Sequence, residues 1–399
     1  MKILMINSVC GIRSTGRICT DIAEVLDKEG HDVKIAYGRE NVPERFKKYA
    51  VKIGSDFGVK LHAVRSRLFD ASGFGSRIAT KRFIKWVKSY DPDIIHLHNI
   101  HGYYLNIEIL FDYLKASEKP VVWTLHDCWA FTGHCSHFDF VGCEKWKMGC
   151  VDCPQKLTYP KSFVDRSSRN YDRKKRAFTS VKNLSIVTPS HWLADLVRES
   201  YLAASDVLVV HNGINLNVFK PTDGNFRKEH SIEEKKILLG VASVWGKRKG
   251  FDDFIKMSQM LDDSYRIVLV GVSEQQKEKL HGNMIGINRT NNTKELAHIY
   301  TTADVFVNPT YEDNYPTVNL EAIACGTPVI TYSTGGSPEA VREYEGMTVP
   351  KGDVDALVNG IYTLTRGGKR TLNNAELNSM SVFNFVEEYY DIYNRSQTV

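Results

Sequence analysis

Short apolar runs alternate with helix-like stretches in the first half of the chain. The apolar runs cover 2–9, 31–37, 93–98, 121–126 and 184–189, and the helical patterns between them include 17–29, 78–90 and 107–115. Runs of this length, bounded by turn or polar residues, are typical of strands that are buried on both faces of a parallel sheet. The pattern therefore predicts a strand–helix alternation from the first residues onward.

The same alternation resumes after residue 206. Strands are predicted at 207–211, 236–243, 266–271, 304–308 and 328–332, and helices at 252–261, 293–301, 317–325 and 354–364. Two successive sets predict two doubly wound, Rossmann-like α/β domains with a cleft between them. We place the first domain at 1–205, with a cysteine-rich insertion at 128–160, and the second at 206–380. The segment 381–399 is predicted to be a helix that packs back on the first domain.

Composition agrees with two soluble domains. The 399 residues exceed the roughly 250–300 at which single cores stop growing. Hydrophobic residues make up 42% and charged residues 25%, and the net charge of +5 does not argue for nucleic acid. That charge suits an anionic substrate or a peripheral contact with anionic lipid. Since no apolar run reaches about 18 residues, we expect a cytoplasmic protein, with possible attachment to the inner face of the membrane.

The segment 309–326 carries the strongest chemical signal. A strand is predicted to end there, and a polar loop then leads through Pro316 into a helix that Gly326 terminates. The first N–H groups of that helix, near Thr317 and Val318, have no intrahelical partner and favour a diphosphate. Glu321, one turn further on, is suited to binding ribose hydroxyls. The alternative is that Glu321 is an ordinary solvated charge on a helix.

This segment resembles the acidic motif of family-4 glycosyltransferases, a large group of retaining enzymes with the GT-B fold, and its Glu-Asp-Asn subtype is similar to enzymes of capsule and exopolysaccharide assembly. The resemblance implies that Glu321 holds the nucleotide ribose. It also implies a carboxylate that contacts the donor sugar, at Asp313 or at the adjacent Glu312.

The resemblance extends over nearly the whole chain. It implies that Lys249, in the basic turn 246–250, neutralises the departing diphosphate. The family has an arginine six residues earlier, where this chain has Ser243, so Arg248 or Lys247 is a candidate replacement. An exposed basic turn without a function is the alternative.

Two motifs of the first domain extend the comparison. The resemblance makes His126, at the end of the predicted strand 121–126, the first catalytic candidate, although a structural role for a single histidine is the alternative. His96, His98 and His101 are interpreted as mostly structural, with a possible role on the acceptor side. Gly16 closes a glycine loop, 11–16, that resembles the family loop bordering the acceptor and the donor phosphate.

Four of the eight cysteines, Cys135, Cys143, Cys150 and Cys153, lie within 19 residues of one another. Four thiols in a polar, glycine-containing loop are able to bind a structural zinc ion in tetrahedral geometry. The spacing differs from the paired CxxC motifs of a zinc ribbon, so reduced thiols in an ordered loop remain the alternative. The resemblance to GT-B enzymes implies that catalysis requires no cofactor, so a zinc ion here would be structural.

The basic and aromatic stretch 81–88 fits a helix on a membrane surface. It also fits an ordinary helix that buries Phe83, Ile84 and Val87 and leaves its lysines in water.

Taken together, these residues and the resemblance they carry imply a retaining, metal-independent hexosyltransferase. The expected donor is a UDP or GDP sugar, and the expected acceptor is a hydroxyl of a glycan or lipid-linked saccharide in cell-surface polysaccharide biosynthesis. Two alternatives remain: a GT-B nucleotide-sugar epimerase, and a catalytically inactive scaffold in a polysaccharide assembly complex. Asp313 and Ser243 depart from the family pattern and keep the scaffold under consideration.

Overall fold

The structure is a computed structural model that describes residues 1–344, 346–369 and 371–397. Contacts divide the chain into two compact units, one formed by Met1–His211 with Val386–Val399 and the other by Asn212–Phe385. Each unit is built around one parallel sheet. The prediction of two doubly wound domains is therefore confirmed.

The first unit contains a seven-stranded sheet with the order β3-β2-β1-β4-β5-β6-β7, all parallel. Its strands are β1 (Lys2–Asn7), β2 (Asp32–Tyr37), β3 (Ala50–Lys52), β4 (Ile94–Leu97), β5 (Val121–Thr124), β6 (Leu184–Thr188) and β7 (Asp206–Val209). Its helices are α1 (Arg13–Lys28), α2 (Asp56–Phe69), α3 (Arg77–Tyr90), α4 (Ile107–Ser117), α5 (Ser167–Phe178) and α6 (His191–Arg198). The central strands read as continuous apolar runs because helices cover both faces of such a sheet.

The second unit contains a six-stranded parallel sheet with the order β10-β9-β8-β11-β12-β13. Its strands are β8 (Lys236–Val241), β9 (Tyr265–Val270), β10 (Met284–Ile287), β11 (Val305–Asn308), β12 (Val329–Tyr332) and β13 (Met347–Val349). Its helices are α7 (Phe226–Glu229), α8 (Phe251–Met260), α9 (Glu274–Lys277), α10 (Thr293–Thr302), α11 (Thr317–Ala324), α12 (Glu339–Arg342), α13 (Val354–Gly367) and α14 (Asn374–Ser379). The last helix of the chain is α15 (Val382–Gln397).

The structure places the end of the first unit later than the predicted residue 205. The apolar run at 207–211 was assigned to the second domain, but β7 pairs in parallel with β6 and completes the first sheet. The first unit consequently extends through His211. The error arose because an edge strand that ends a domain has the same apolar pattern as a strand that begins one.

Most of α15 belongs to the first unit. The hydroxyl of Tyr393 lies 2.7 Å from Nδ1 of His96 in β4, and the hydroxyl of Tyr389 lies 2.7 Å from Oγ1 of Thr124 in β5. All four side chains are buried. These hydrogen bonds hold the helix against the ends of two central strands. The last two residues of the predicted segment 381–399 lie outside the described residues.

None of the helices in the described ranges combines the length and the apolar character that crossing a bilayer requires.

We predict that Tyr393→Phe loosens the contact between α15 and β4. The substitution removes the hydroxyl that pairs with His96 and leaves a buried ring nitrogen without its partner, which costs about 1–3 kcal/mol. Hydrogen exchange of the amides of β4 and α15 should accelerate roughly tenfold or more. Tyr390→Phe, on the half-buried side of the same helix, is the control and should exchange like the wild type. Equal exchange rates in both variants would show that this hydrogen bond does not hold the helix.

Candidate functional site

The loops that follow β8 and β11 come together in the second unit. These strands are neighbours at the centre of the sheet, where the strand order changes direction, and ligands of doubly wound sheets bind beyond the carboxyl ends of such strands. The turn Lys247–Lys249 belongs to the first loop. The backbone N–H of Tyr311, in the second loop, donates to the carbonyl oxygen of Arg248 at 2.8 Å. One hydrogen bond thus joins the two segments that the sequence had singled out separately.

Four predicted site residues meet at this junction. The ammonium group of Lys249 forms an ion pair with the carboxylate of Asp313, and each side chain is about one-fifth exposed (22% and 21%). The guanidinium of Arg248 donates to the backbone oxygen of Glu312 at 2.8 Å. The side chain of Glu312 is buried. Arg248 therefore stabilises the acidic loop, and Lys249 and Asp313 are the pair that remains accessible to a ligand.

Helix α11 begins directly after this loop. Its N-cap residue is Pro316, which makes no side-chain capping hydrogen bond, and Thr317 and Val318 are only half-buried. Pro316 has no N–H, so the N–H groups of the first turn lie just beyond it and carry the partial positive charge of the helix terminus. This end of the helix has the geometry of an anion-binding site next to the Lys249–Asp313 pair.

Glu321 lies one turn into α11 and is 6% exposed. Its Oε2 accepts a hydrogen bond of 3.0 Å from the hydroxyl of Tyr300 in α10. The alternative that Glu321 is a solvated helix charge is therefore wrong. The sequence did not single out Tyr300, because a tyrosine within a helical pattern is ordinarily assigned to the core.

His126 follows β5 in the first unit, and its Nε2 lies 3.0 Å from Nδ1 of His98. Burial lowers the pKa of His126 to about 4, and burial also lowers the pKa of His98 well below its usual range. Both rings are therefore neutral near pH 7. Among the described residues, Nε2 of His98 has no hydrogen-bond partner. Since buried N–H groups are almost never left unpaired, we assign the proton of His98 to Nδ1, from which it donates to His126.

The neighbouring histidines have partners of their own. His96 is held between Tyr393 and Thr124, and burial lowers its pKa to about 3. Nε2 of His101 lies 2.9 Å from the carboxylate of Asp127. Burial tends to raise the pKa of Asp127, but the charge of His101 and its hydrogen bond outweigh burial and lower that pKa to about 2. A structural role for His96 agrees with these contacts, whereas His98 and His101 contact the residues at the end of β5.

Gly16 lies within the first turn of α1, because that helix begins at Arg13, earlier than the predicted residue 17. Its carbonyl oxygen accepts a hydrogen bond of 3.0 Å from the N–H of Gly11, which has a positive φ of 72°. A Cβ atom at position 16 would lie 3.0 Å from the side chain of Val9. Gly16 thus allows close packing between the glycine loop and the helix.

The four clustered cysteines lie in a segment whose only regular elements, in the described structure, are short 3-10 turns. Cys135, Cys143, Cys150 and Cys153 all line one small cavity together with Trp146. The thiols of Cys135 and Cys153 are within hydrogen-bonding distance of each other, and the N–H of Gly133 donates to the sulfur of Cys150 at 3.1 Å. In the part of the chain that the structure describes, the four sulfurs are not drawn together into a compact set of metal ligands.

Two doubly wound domains, with a basic turn and an acidic loop meeting where the strand order of the second sheet reverses, are the architecture expected of a glycosyltransferase with the GT-B fold. The chain matches the sequence profile "Glycosyltransferase Family 4" over residues 15–218 and the profile "Glycosyl transferases group 1" over residues 223–376. The chain belongs to Glycosyltransferase Family 4. The family predicted from the motifs is thereby confirmed.

Two relatives carry names that refer to the assembly of saccharides. The chain is 25% identical, over 90% of its length and 89% of the relative, to a protein assigned provisionally as the colanic acid biosynthesis glycosyl transferase WcaC of Escherichia coli K12. It is 26% identical, over 51% of its length and 58% of the relative, to the N,N'-diacetylbacillosaminyl-diphospho-undecaprenol alpha-1,3-N-acetylgalactosaminyltransferase of Campylobacter jejuni.

Solved structures share the fold. Sucrose-phosphate synthase from Thermosynechococcus elongatus has a TM-score of 0.71 at 18% identity, covering 99% of this chain and 98% of that one. Anabaena HepE, solved with UDP-glucose, has a TM-score of 0.65 at 14% identity, covering 99% of this chain and all of its own. These likenesses are evidence for the fold alone.

We predict that the first unit loses stability as the pH falls from about 6.5 towards about 4. The folded state keeps His96, His98 and His126 neutral, whereas the unfolded chain protonates its histidines below about pH 6.5, so acid favours unfolding. Their contribution is complete above pH 6.5. Thermal unfolding measured between pH 7.5 and 4.5 should show that the melting temperature of the wild type falls steeply as the pH is lowered.

The variant His98→Asn tests the origin of this pH dependence. Its side-chain amide can replace the Nδ1–H donor but cannot take up a proton, so the loss of stability on acidification should be smaller than in the wild type. His281→Asn, at an exposed position of the second unit, is the control. An unchanged pH dependence in His98→Asn would place the acid sensitivity elsewhere.

Proposed function

We propose that the protein transfers a hexose, with retention of anomeric configuration, from a UDP or GDP sugar to a hydroxyl of a glycan or lipid-linked saccharide. The observation that carries the proposal is the uncapped start of α11 beside Lys249, with the buried carboxylate of Glu321 one turn away. The relatives named for colanic acid biosynthesis and for a diphospho-undecaprenol substrate support a role in cell-surface polysaccharide assembly.

In this proposal the second unit binds the nucleotide. Two sources of positive charge, the first N–H groups of α11 and the ammonium of Lys249, stabilise the diphosphate. Glu321 accepts hydrogen bonds from the ribose hydroxyls while the hydroxyl of Tyr300 keeps its carboxylate in place. Fixed donors of this kind are most effective on the leaving phosphate, where negative charge develops as the glycosidic bond breaks.

The proposed chemistry takes place on one face of the sugar. The acceptor oxygen bonds to the anomeric carbon, the bond from that carbon to the phosphate oxygen breaks, and the acceptor proton passes to the leaving phosphate. Asp313 or Glu312, together with His126, positions the donor sugar. No metal ion is needed in this scheme, because the helix terminus and Lys249 supply the positive charge that a cation would otherwise contribute.

A structural zinc ion at Cys135, Cys143, Cys150 and Cys153 is a second part of the proposal. Its support is that four thiols border one cavity in a long segment with little regular structure, which a cross-link would stabilise. Metal binding would have to draw the loop together until each sulfur lies about 2.3 Å from the ion. Such a closed site would have no part in the reaction.

We predict that Lys249→Met lowers kcat/KM for the nucleotide sugar by roughly 100-fold or more, because a positive charge on the leaving diphosphate is lost. Glu321→Gln should instead weaken the binding of UDP or GDP by about tenfold or more, as a charge-assisted hydrogen bond to the ribose becomes a neutral one. Calorimetry with both nucleotides and a radiolabelled transfer assay measure these effects.

The anomeric configuration of the product, read by NMR, tests retention, and an assay with EDTA tests metal independence.

Lys247→Met is the matched control, since Lys247 is an exposed neighbour of Lys249 on the same turn. An equal loss in Lys247→Met would show that the cationic role is not specific to Lys249. Epimerised free sugar formed without acceptor would favour an epimerase. Failure to bind any nucleotide sugar, combined with tight binding to a partner glycosyltransferase, would favour a scaffold.

We predict that the purified protein contains about one zinc ion per chain and that Cys153→Ser loses it, because a tetrahedral site needs its four ligands. Elemental analysis measures the metal, and cobalt substitution should give the absorption bands of tetrahedral thiolate coordination. Cys325→Ala, which removes a buried thiol of the second unit, is the control and should keep the metal. Wild-type protein without metal, and with four titratable thiols in this loop, would contradict the zinc site.

A further inference from the structure

Helix α2 turns its apolar face away from the unit to which it belongs. Phe57, Leu61, Val64 and Leu68 recur at helical spacing and are 76%, 61%, 51% and 48% exposed. A surface helix ordinarily buries such a stripe. We call these four residues the α2 stripe.

The inward face of α2 carries the half-buried Val59 and the buried His62 and Ser66, and His62 hydrogen-bonds to the segments packed beneath the helix. His62 is 2% exposed, and its ring nitrogens lie 2.9 Å from the hydroxyl of Ser76 and 3.2 Å from the carbonyl oxygen of Ala71. Burial lowers the pKa of His62 to about 4, which keeps the ring neutral. These hydrogen bonds fix the rotation of the helix about its axis and thereby fix the stripe on the outside.

More apolar surface adjoins the stripe. Ile78, at the start of α3, is 70% exposed, and Phe163 is 60% exposed. The N–H of Phe163 donates to the carbonyl oxygen of Arg67 at 2.8 Å, which ties that residue to the C-terminal end of α2. Between α2 and α3 lies a groove of about 880 Å³, and Arg65, Arg77 and Arg82 are among its lining residues. The surface is thus apolar with a basic border.

The charge of this region is strongly positive. Residues 56–90 contain eight lysines and arginines and two aspartates, a net charge of +6 against +5 for the whole chain. Asp70 is buried against His134, and Asp56 pairs with Lys52 at 2.7 Å, so neither offsets the exposed basic side chains. The positive charge of the protein is therefore concentrated on the pair of helices that carries the stripe.

Helix α3 supplies charge but little apolar contact. Phe83 and Val87 are buried in the unit, while Lys81, Lys85 and Lys88 are exposed. The alternative of an ordinary packed helix at 81–88 therefore agrees with its burial. The apolar surface lies on its neighbour α2.

We propose that α2 and α3 form a docking surface for an anionic phospholipid bilayer, with the α2 stripe inserted among the acyl chains and the basic side chains of α3 at the headgroups. A helix of 14 residues with one apolar face and a basic border lies in the plane of an interface without crossing it. A second copy of the chain is a poorer occupant, because pairing this surface with itself would bring two charges of +6 together. The proposal does not depend on the proposed sugar transfer.

The test is co-sedimentation of the full chain with vesicles. Wild-type protein should bind vesicles of equal parts phosphatidylcholine and phosphatidylglycerol, bind pure phosphatidylcholine weakly, and dissociate as salt is raised. The double variant Leu61→Ser with Leu68→Ser should bind the anionic vesicles at least tenfold more weakly, since two apolar side chains no longer insert. The triple variant Lys81→Gln, Lys85→Gln and Lys88→Gln should bind the anionic vesicles roughly fivefold more weakly for each lysine removed, and its binding should depend much less on salt.

Matched controls lie in the second unit. Val244→Ser removes a side chain that is 74% exposed, and Lys228→Gln with Lys279→Gln removes exposed charges. Both should bind vesicles like the wild type. Thermal unfolding with and without UDP or GDP shows whether each variant is folded and still binds nucleotide, which separates a failure of docking from a failure of the proposed function.

Three results would overturn the proposal. One is wild-type protein that does not bind the anionic vesicles, and another is equal binding by the Leu61→Ser, Leu68→Ser variant. The third is a concentration-dependent dimer, seen by analytical ultracentrifugation, that the same variant abolishes, because the stripe would then be an interface between copies.

Discussion

All strands of each sheet run in the same direction, and this constraint determines where chemistry can take place. In a parallel sheet every loop that follows a strand emerges at the same edge, and neighbouring strands bring their loops together even when they are far apart in sequence. β8 and β11 are adjacent although more than sixty residues separate them. The basic turn and the acidic loop meet for this reason, and the hydrogen bond from Tyr311 to Arg248 fixes their spacing.

The Lys249–Asp313 ion pair changes the interpretation of both residues. A lysine that must meet a diphosphate has a flexible side chain and many possible positions. Its pairing with Asp313 restricts those positions before any ligand arrives. The aspartate, which looked like a departure from the family pattern, is therefore also a residue that holds the cation in place.

The sequence predicted the elements whose patterns are local. Buried strands such as β1, β5 and β11 were recognised because an apolar run between turn residues is sufficient to identify them. The short edge strands β3, β10 and β13 were missed, since three or four half-buried residues leave no distinct pattern. The position of β7 depended on its pairing with β6, which no local signal reveals.

The residues of the candidate site also fall into two groups, those that a local motif predicts and those that only the structure reveals. Lys249, Asp313, Glu321 and His126 were found because each follows a strand or begins a helix within a recognisable motif. Tyr300 was not singled out, and His98 was interpreted as mostly structural, because the contacts of both are with residues distant in the chain. The outward-facing stripe of α2 was missed because no helix was predicted at 56–69, and the exposure of its apolar residues and the buried hydrogen bonds of His62 are visible only in the structure.

The protonation of His126 limits the part it can play in the proposed reaction. With a pKa of about 4 the ring is neutral, and the hydrogen bond donated by His98 occupies Nε2. The proton of His126 is then on Nδ1, where it can be donated to an oxygen atom of a sugar. A nitrogen that already carries a proton cannot act as the base for the acceptor hydroxyl. The acceptor proton must go to another group, and the leaving phosphate, which gains negative charge as the glycosidic bond breaks, is the group that the proposed mechanism provides.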